Sequence, residues 1–186
     1  MTCGLSVEGF AIISADGMIA TGDGTHPATL MDPADQAFFH GSLDRAAVVV
    51  HGRYSHEGGP RAAARKRLIV TRRVPALAPH PRHPNGMLWN PVGMPFAQAC
   101  AALGVSEGVA AIIGGTDVFG LFLSIGYDAF FLSRALASVP RGRPVFPGVG
   151  NGVAAEEPLK QHGLVLRETR MLDPVSETVV QEWGPK

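Results

Sequence analysis

Four short stretches carry residue types suited to holding a phosphate or moving a proton. Gly114-Gly115-Thr116 sits where an apolar run, Val109-Ala110-Ala111-Ile112-Ile113, gives way to helical spacing. Paired glycines let backbone N–H groups approach an anion, and a helix N-terminus favours negative charge. A tight turn that needs glycine explains the same residues equally well, and the pattern is not G-x-G-x-x-G. Gly52-Arg53 follows a second apolar run, Ala46 to His51. Its arginine can grip a phosphate through two parallel hydrogen bonds, or simply sit on the surface after a glycine turn. Thr71-Arg72-Arg73 closes a third run, Leu68-Ile69-Val70. A hydroxyl and a guanidinium at a strand end suit a phosphate on a ribose, or a solvated basic turn. Three such strand ends in one chain are harder to set aside than any one alone.

The fourth stretch holds Asp35, in the first turn of a helix opened by Asp32-Pro33. Asp suits an N-cap and Pro the first helical position. A carboxylate at position 35 can stabilise the helix end. Flanked by Ala34, Ala37, Phe38 and Phe39, it can instead point into an apolar pocket, where desolvation raises its pKa and lets it manage a proton near neutrality. Spacing alone favours the helix-end role. Asp16, in Ser14-Ala15-Asp16-Gly17, reads as a turn residue. His80 and His83 share a proline-rich loop with no cysteine or carboxylate cluster, so no metal site is expected. No G-x-S-x-G elbow occurs.

The elements that must position these residues follow from apolar runs and punctuation. Strands are expected at Phe10–Ser14, Ala46–His51, Leu68–Thr71, Met87–Trp89, Val109–Ile113, Ala129–Leu132, Leu164–Leu166 and Thr178–Val180. Met18-Ile19-Ala20 follows the first and leads into a loop, Thr21-Gly22-Asp23-Gly24. Helices are expected from Asp32-Pro33 toward Leu43, briefly after Gly59-Pro60, from Pro95 at N1 to the stop at Gly104, and from a Thr116 cap to Gly126. Val74 to Pro84 reads as an irregular connection. Alternating strands and helices argue for a mostly parallel sheet covered on both faces, and the last two strands, joined near Asp173-Pro174, for an antiparallel edge. Ligands in such sheets sit at the C-terminal ends of strands.

Composition narrows the function classes. With 186 residues, one domain over 1–186 is expected. Hydrophobic residues make up 46%, which excludes a disordered chain. Lys+Arg and Asp+Glu balance at 16 each, so nothing draws the chain generally toward nucleic acid or acidic membranes. Charged residues are only 17%, which suggests a surface partly hidden in an interface, with a homodimer as one possibility. Cys3 and Cys100 cannot make a disulfide framework. No apolar run is long enough to span a bilayer, and Met1-Thr2-Cys3-Gly4 does not open a signal peptide, so a cytoplasmic location is expected.

Taken together, the motifs resemble the dihydrofolate reductase superfamily, which includes the reductase domain of riboflavin biosynthesis. The parts come in the family's order over roughly Phe10 to Trp183. Ile12 to Ala20 is similar to the first strand and its following loop. Pro33-Ala34-Asp35-Gln36-Ala37-Phe38-Phe39 is similar to the substrate helix with its acidic residue. Val49 to Ser55 is similar to the G-R-x-[ST] phosphate loop, Ile112 to Phe119 to the double-glycine cofactor loop, and Pro144-Val145-Phe146-Pro147 to a late F-P element.

The resemblance implies an eight-stranded, mostly parallel sheet with an antiparallel C-terminal edge and helices on both faces. It also implies an NADPH-dependent reductase acting on a C=N bond of a small pterin-like or aminopyrimidine substrate. Ala11 and Ile19 would flank the nicotinamide. Gly52, Arg53 and Ser55 would hold the pyrophosphate and adenosine side, and Thr71 and Arg72 the 2′-phosphate. Gly114, Gly115, Thr116 and Val118 would pass under the pyrophosphate. Asp35 would bind the substrate's aminopyrimidine edge and support protonation, which moves the balance on this residue toward function, with Phe38 and Phe39 beside it against the substrate. The riboflavin-pathway reduction of 5-amino-6-(5-phosphoribosylamino)uracil and a nucleotide-binding module without catalysis stand as alternatives. Phe119 replaces the family's tyrosine after the double glycine, and the deaminase motifs H-x-E and P-C-x-x-C are absent.

Overall fold

A computed structural model describes residues 4–55, 58–59 and 61–186. The strands are β1 Leu5–Ile13, β2 Met18–Ala20, β3 Ala46–Gly52, β4 Arg67–Val70, β5 Leu77–Pro79, β6 Gly86–Trp89, β7 Gly108–Ile112, β8 Ala129–Arg134, β9 Arg143–Pro144, β10 Leu164–Asp173 and β11 Thr178–Pro185. The helices are α1 Pro33–Arg45, α2 Phe96–Ala102, α3 Thr116–Ile125 and α4 Glu157–Gln161. Nine strands form one sheet in the order β10-β11-β8-β1-β7-β3-β4-β6-β5, and β2 pairs with β9 in a separate ribbon. From β8 through β6 all neighbours are parallel, while β5, β11 and β10 join antiparallel.

The sheet therefore has one strand more than the eight expected. The addition is β5, inside the stretch read as an irregular connection. It is an edge strand, where a proline such as Pro79 need not donate to a second neighbour. Helix α4, the β2–β9 ribbon and the first half of β1 also go beyond the sequence reading. Of the pair expected to start a short helix, Gly59 is described and Pro60 lies outside the described residues; a 3-10 turn at Ala62–Ala64 follows.

β3 shows why the central strands read as continuous apolar runs. Val48 and Val50 join one core cluster with Ala110, Ile112 and Phe119, while Val49 joins another with Ala111 and Leu43 of α1. Alternate side chains thus enter opposite layers, with α3 on one face and α1 on the other. α1 begins where Asp32 Oδ1 accepts hydrogen bonds from the Ala34 and Asp35 amides, each 2.9 Å long, and Pro33 fits the first turn. α3 ends at Gly126, whose φ of 110° lies where only glycine is at ease.

Candidate active site

The sheet order explains how distant motifs meet. β7, β3 and β4 are adjacent and parallel, so their C-terminal ends lie side by side. The Gly52 amide donates to the Gly114 carbonyl at 2.8 Å, joining the ends of β3 and β7. A Cβ on Gly52 would lie 3.8 Å from Gly115 N, and one on Gly115 would lie 3.2 Å from Ser55 Oγ. Gly52 and Val70 are register partners, which puts Thr71 and Arg72 beside Arg53. The three suspected phosphate-binding strand ends are therefore one continuous edge.

Glycine is required at position 114, where φ is 105° and a Cβ would come within 2.9 Å of the Phe119 ring. The Gly114–Gly115 peptide is cis. Gly115, not Thr116, is the N-cap of α3. The Thr116 hydroxyl donates instead to Pro144 O at 2.5 Å, tying the helix start to the ribbon that carries Met18 to Ala20. First-turn amides of α3, those of Thr116 and Asp117, have no acceptor within the helix and are free to meet an anion.

Beside this edge lies a cavity of about 390 Å³. Of the residues singled out from sequence, Ala11, Ile19, Asp35, Phe38, Phe39, Ser55 and Gly115 line it. Gly52, Gly114 and Thr116 sit just behind it in the backbone edge. Arg53 is exposed and stacks over the Tyr54 ring at 5.0 Å, and Arg72 is exposed beyond β4. Thr71 is buried, and its hydroxyl accepts from the Arg73 amide at 3.2 Å. Val118 does not reach the cavity: its side chain is buried in the core and its amide donates to Gly115 O.

Asp35 is 7% exposed and faces the cavity. The helix-end role that spacing favoured belongs to Asp32, whose carboxylate makes the capping bonds. The other oxygen of Asp32 accepts from Ser176 at 2.6 Å and Thr178 at 3.0 Å. These neighbours, three residues apart, are driven in opposite directions. Burial pushes the Asp35 pKa above the usual carboxylate value and the charge on Asp32 adds to this, against a hydrogen bond from the Ser133 hydroxyl and the influence of His26. At Asp32 burial also pushes upward, but the bonds from Ser176, the Asp35 amide, Thr178 and the Ala34 amide outweigh it and hold the carboxyl low. The buried wall around Asp35 is aromatic: Phe10 and Phe131 stack at 5.1 Å, and Phe38 meets Phe131 edge-on at 5.6 Å.

Sequence reading missed Ser133, His26 and His40 as cavity residues. Ser133 had a signal, being a hydroxyl that ends the apolar strand Phe130-Phe131-Leu132. The histidines had none beyond lying near the Gly-rich loop and in α1.

No family model matches the sequence, and none of the curated proteins does. Solved structures do. One is a putative riboflavin biosynthesis protein from Shewanella sp. PV-4, with a TM-score of 0.68 at 15% identity over 97% of this chain and 99% of that one. A second is dihydrofolate reductase from Enterococcus faecalis complexed with NADP(H) and RAB-propyl, with a TM-score of 0.66 at 16% identity over 96% and 95%. A third is a diaminohydroxyphosphoribosylaminopyrimidine deaminase/5-amino-6-(5-phosphoribosylamino)uracil reductase from Thermotoga maritima, with a TM-score of 0.63 at 14% identity over 97% of this chain and 56% of that one. Identities this low establish the fold.

Proposed function

We propose that this chain, which has the dihydrofolate reductase-like fold, is an NADPH-dependent reductase of a C=N bond in a pterin-like or aminopyrimidine substrate. The observation that carries the reading is Asp35: a buried carboxyl beside Ser133 in an apolar cavity that adjoins a glycine-built strand edge. The residues present fit a dinucleotide, because the cavity wall at Gly115 is backbone without side-chain carbon, Gly52 lies against it, and a helix N-terminus adjoins it.

NADPH, when bound, supplies the hydride. Gly52, Ser55 and the Gly115-Thr116 backbone would hold its pyrophosphate, with Arg53 reaching in from the rim. Thr71 and Arg72 would receive the 2′-phosphate, the guanidinium by paired hydrogen bonds. Ala11 and Ile19 would bracket the nicotinamide. Asp35 would anchor the substrate's amino and ring N–H edge, and Phe38 and Phe39 would cover its faces. Hydride arrival at carbon leaves negative charge on nitrogen, which a carboxyl group whose hold on its proton burial strengthens can meet directly or through an ordered water. Ser133 keeps that carboxyl aimed into the cavity.

The test is to titrate NADPH by calorimetry and then follow loss of the reduced-nicotinamide absorbance with dihydropterin substrates. NADPH binding with turnover that collapses in Asp35→Asn is expected. Failure to bind NADPH, or turnover unchanged in Asp35→Asn, removes the reading.

A further inference from the structure

We infer that the cavity selects a compact, uncharged heterocycle and disfavours the same ring bearing an anionic tail, whether carboxylate or phosphate. This rests on the reductase reading and narrows its substrate.

The cavity wall is the first ground. Among the described residues lining it there is no arginine or lysine, and its side chains able to carry positive charge are His26 and His40. Its buried end is aromatic and holds a carboxyl, Asp35.

The guanidinium groups of the surrounding elements are the second ground: Arg53 at the rim is taken by the cofactor's pyrophosphate on the reductase reading, and others are already paired. Arg61 and Arg65, which follow the phosphate loop, both meet Asp44 of α1, at 3.5 and 2.7 Å. Arg143 donates to Gly22 O at 3.2 Å, in the loop whose Gly24 and His26 line the cavity. Arg170 lies over the Phe38 ring at 5.5 Å with Glu168 at 3.5 Å. A carboxylate or phosphate recruited here would have to break one of these pairings.

Size is the third ground. About 390 Å³ is near the lower end of small-molecule pockets, and on the reductase reading it must take the reacting ring of the cofactor as well as the substrate. A tail drawn inward would lose its water without gaining a cation, and would approach Asp35, so its charge would be buried unpaired. A tail left at the mouth would find, among the described residues, only Arg53, which the reductase reading gives to the cofactor. The ring alone therefore carries the binding.

The experiment uses the intact protein with NADPH bound, after NADPH affinity itself has been measured. Calorimetry compares a 6-methyl pterin with folate, and a ribosylated aminopyrimidine with its phosphoribosyl form. Within at least one pair the tail-free ligand is expected to bind about tenfold tighter or better, a difference typical of one uncompensated charge contact. His40→Arg, which puts a cation in the wall, is expected to narrow that gap. Tailed ligands binding as tightly as tail-free ones overturn the inference while NADPH binding leaves the reductase reading standing. Absence of NADPH binding removes the reductase reading itself. Binding of none of the four ligands removes both.

Discussion

Around Asp35 the cavity is walled by side chains, whereas along the ends of β7, β3 and β4 it is walled by backbone. The first region gets its chemistry from exclusion of water: stacked phenylalanines bury one carboxyl beside Ser133, and the proton becomes harder to lose. The second gets its chemistry from absence of side chains: glycine at 52, 114 and 115 keeps side-chain carbon off the strand ends and admits a ligand to the chain itself. A proton site tolerates no extra polarity, and an anion site tolerates no extra carbon. The same sheet supplies both because its C-terminal edge borders α1 on one face and α3 on the other.

Breaking the first region should have the largest effect. Asp35→Asn is expected to lower kcat by about 10²–10⁴, the usual share of a proton-transferring group, with NADPH affinity unchanged. Steady-state rates and calorimetry on one sample would check both halves. In the second region Gly114→Ala should cost about 1–3 kcal/mol, because its Cβ would press on Phe119 at a backbone angle alanine resists. It should abolish cofactor binding while leaving Asp35 in place, and a thermal melt with and without NADPH would show this as a lowered Tm that the cofactor no longer raises.

Next in size is Asp32→Ala, expected to cost about 1–2 kcal/mol from loss of the helix cap. Chemical denaturation would detect it, and kcat should fall with it if α1 shifts Asp35.

The two carboxylates also predict opposite pH slopes. Burial raises the Asp35 folded-state pKa, so the native state holds the extra proton between the unfolded and folded values, and stability falls as pH rises through that window. Asp32 is held low, so its contribution is present above the unfolded pKa and is lost as pH falls through the folded one. Denaturation midpoints of Asp35→Asn and Asp32→Asn across acidic to neutral pH would separate the slopes, with His26 and His40 as the other titratable groups lining this cavity. A rate that declines as pH rises should lose that limb in Asp35→Asn. The smallest effect is expected from Arg72→Ala, about two- to fivefold weaker NADPH binding with NADH unaffected, since an exposed ion pair is worth little.

Much of this was legible in the sequence where one residue type has one cause. Asp32-Pro33 marked the start of α1, and Gly114-Gly115 marked the junction of β7 with α3. Asp35 stood out because a carboxyl among alanines and phenylalanines must be either a helix-end charge or a buried acid, and the structure assigns the first role to Asp32. Short pairings were not legible: β5, β9 and α4 are too brief to carry a period, and they exist because neighbouring strands or loops bind them. The sheet edge shared by Gly52, Thr71 and Gly114 was only partly legible, since strand order β7-β3-β4 comes from crossovers rather than from local spacing. Ser133 was hidden for the same reason, being brought to Asp35 by the position of β8 beside β1.

Two hydrogen bonds link these regions to the order in which the chain is made. Asp32 Oδ2 is held by Ser176 and Thr178, 144 and 146 residues later. On the ribosome, α1 and its buried acid emerge well before the brace that fixes the entry to that helix. A nascent chain stopped before Ser176 carries every residue proposed for proton transfer and yet lacks the anchor that aims them. Assembly of the site thus waits for the turn between β10 and β11 to be made.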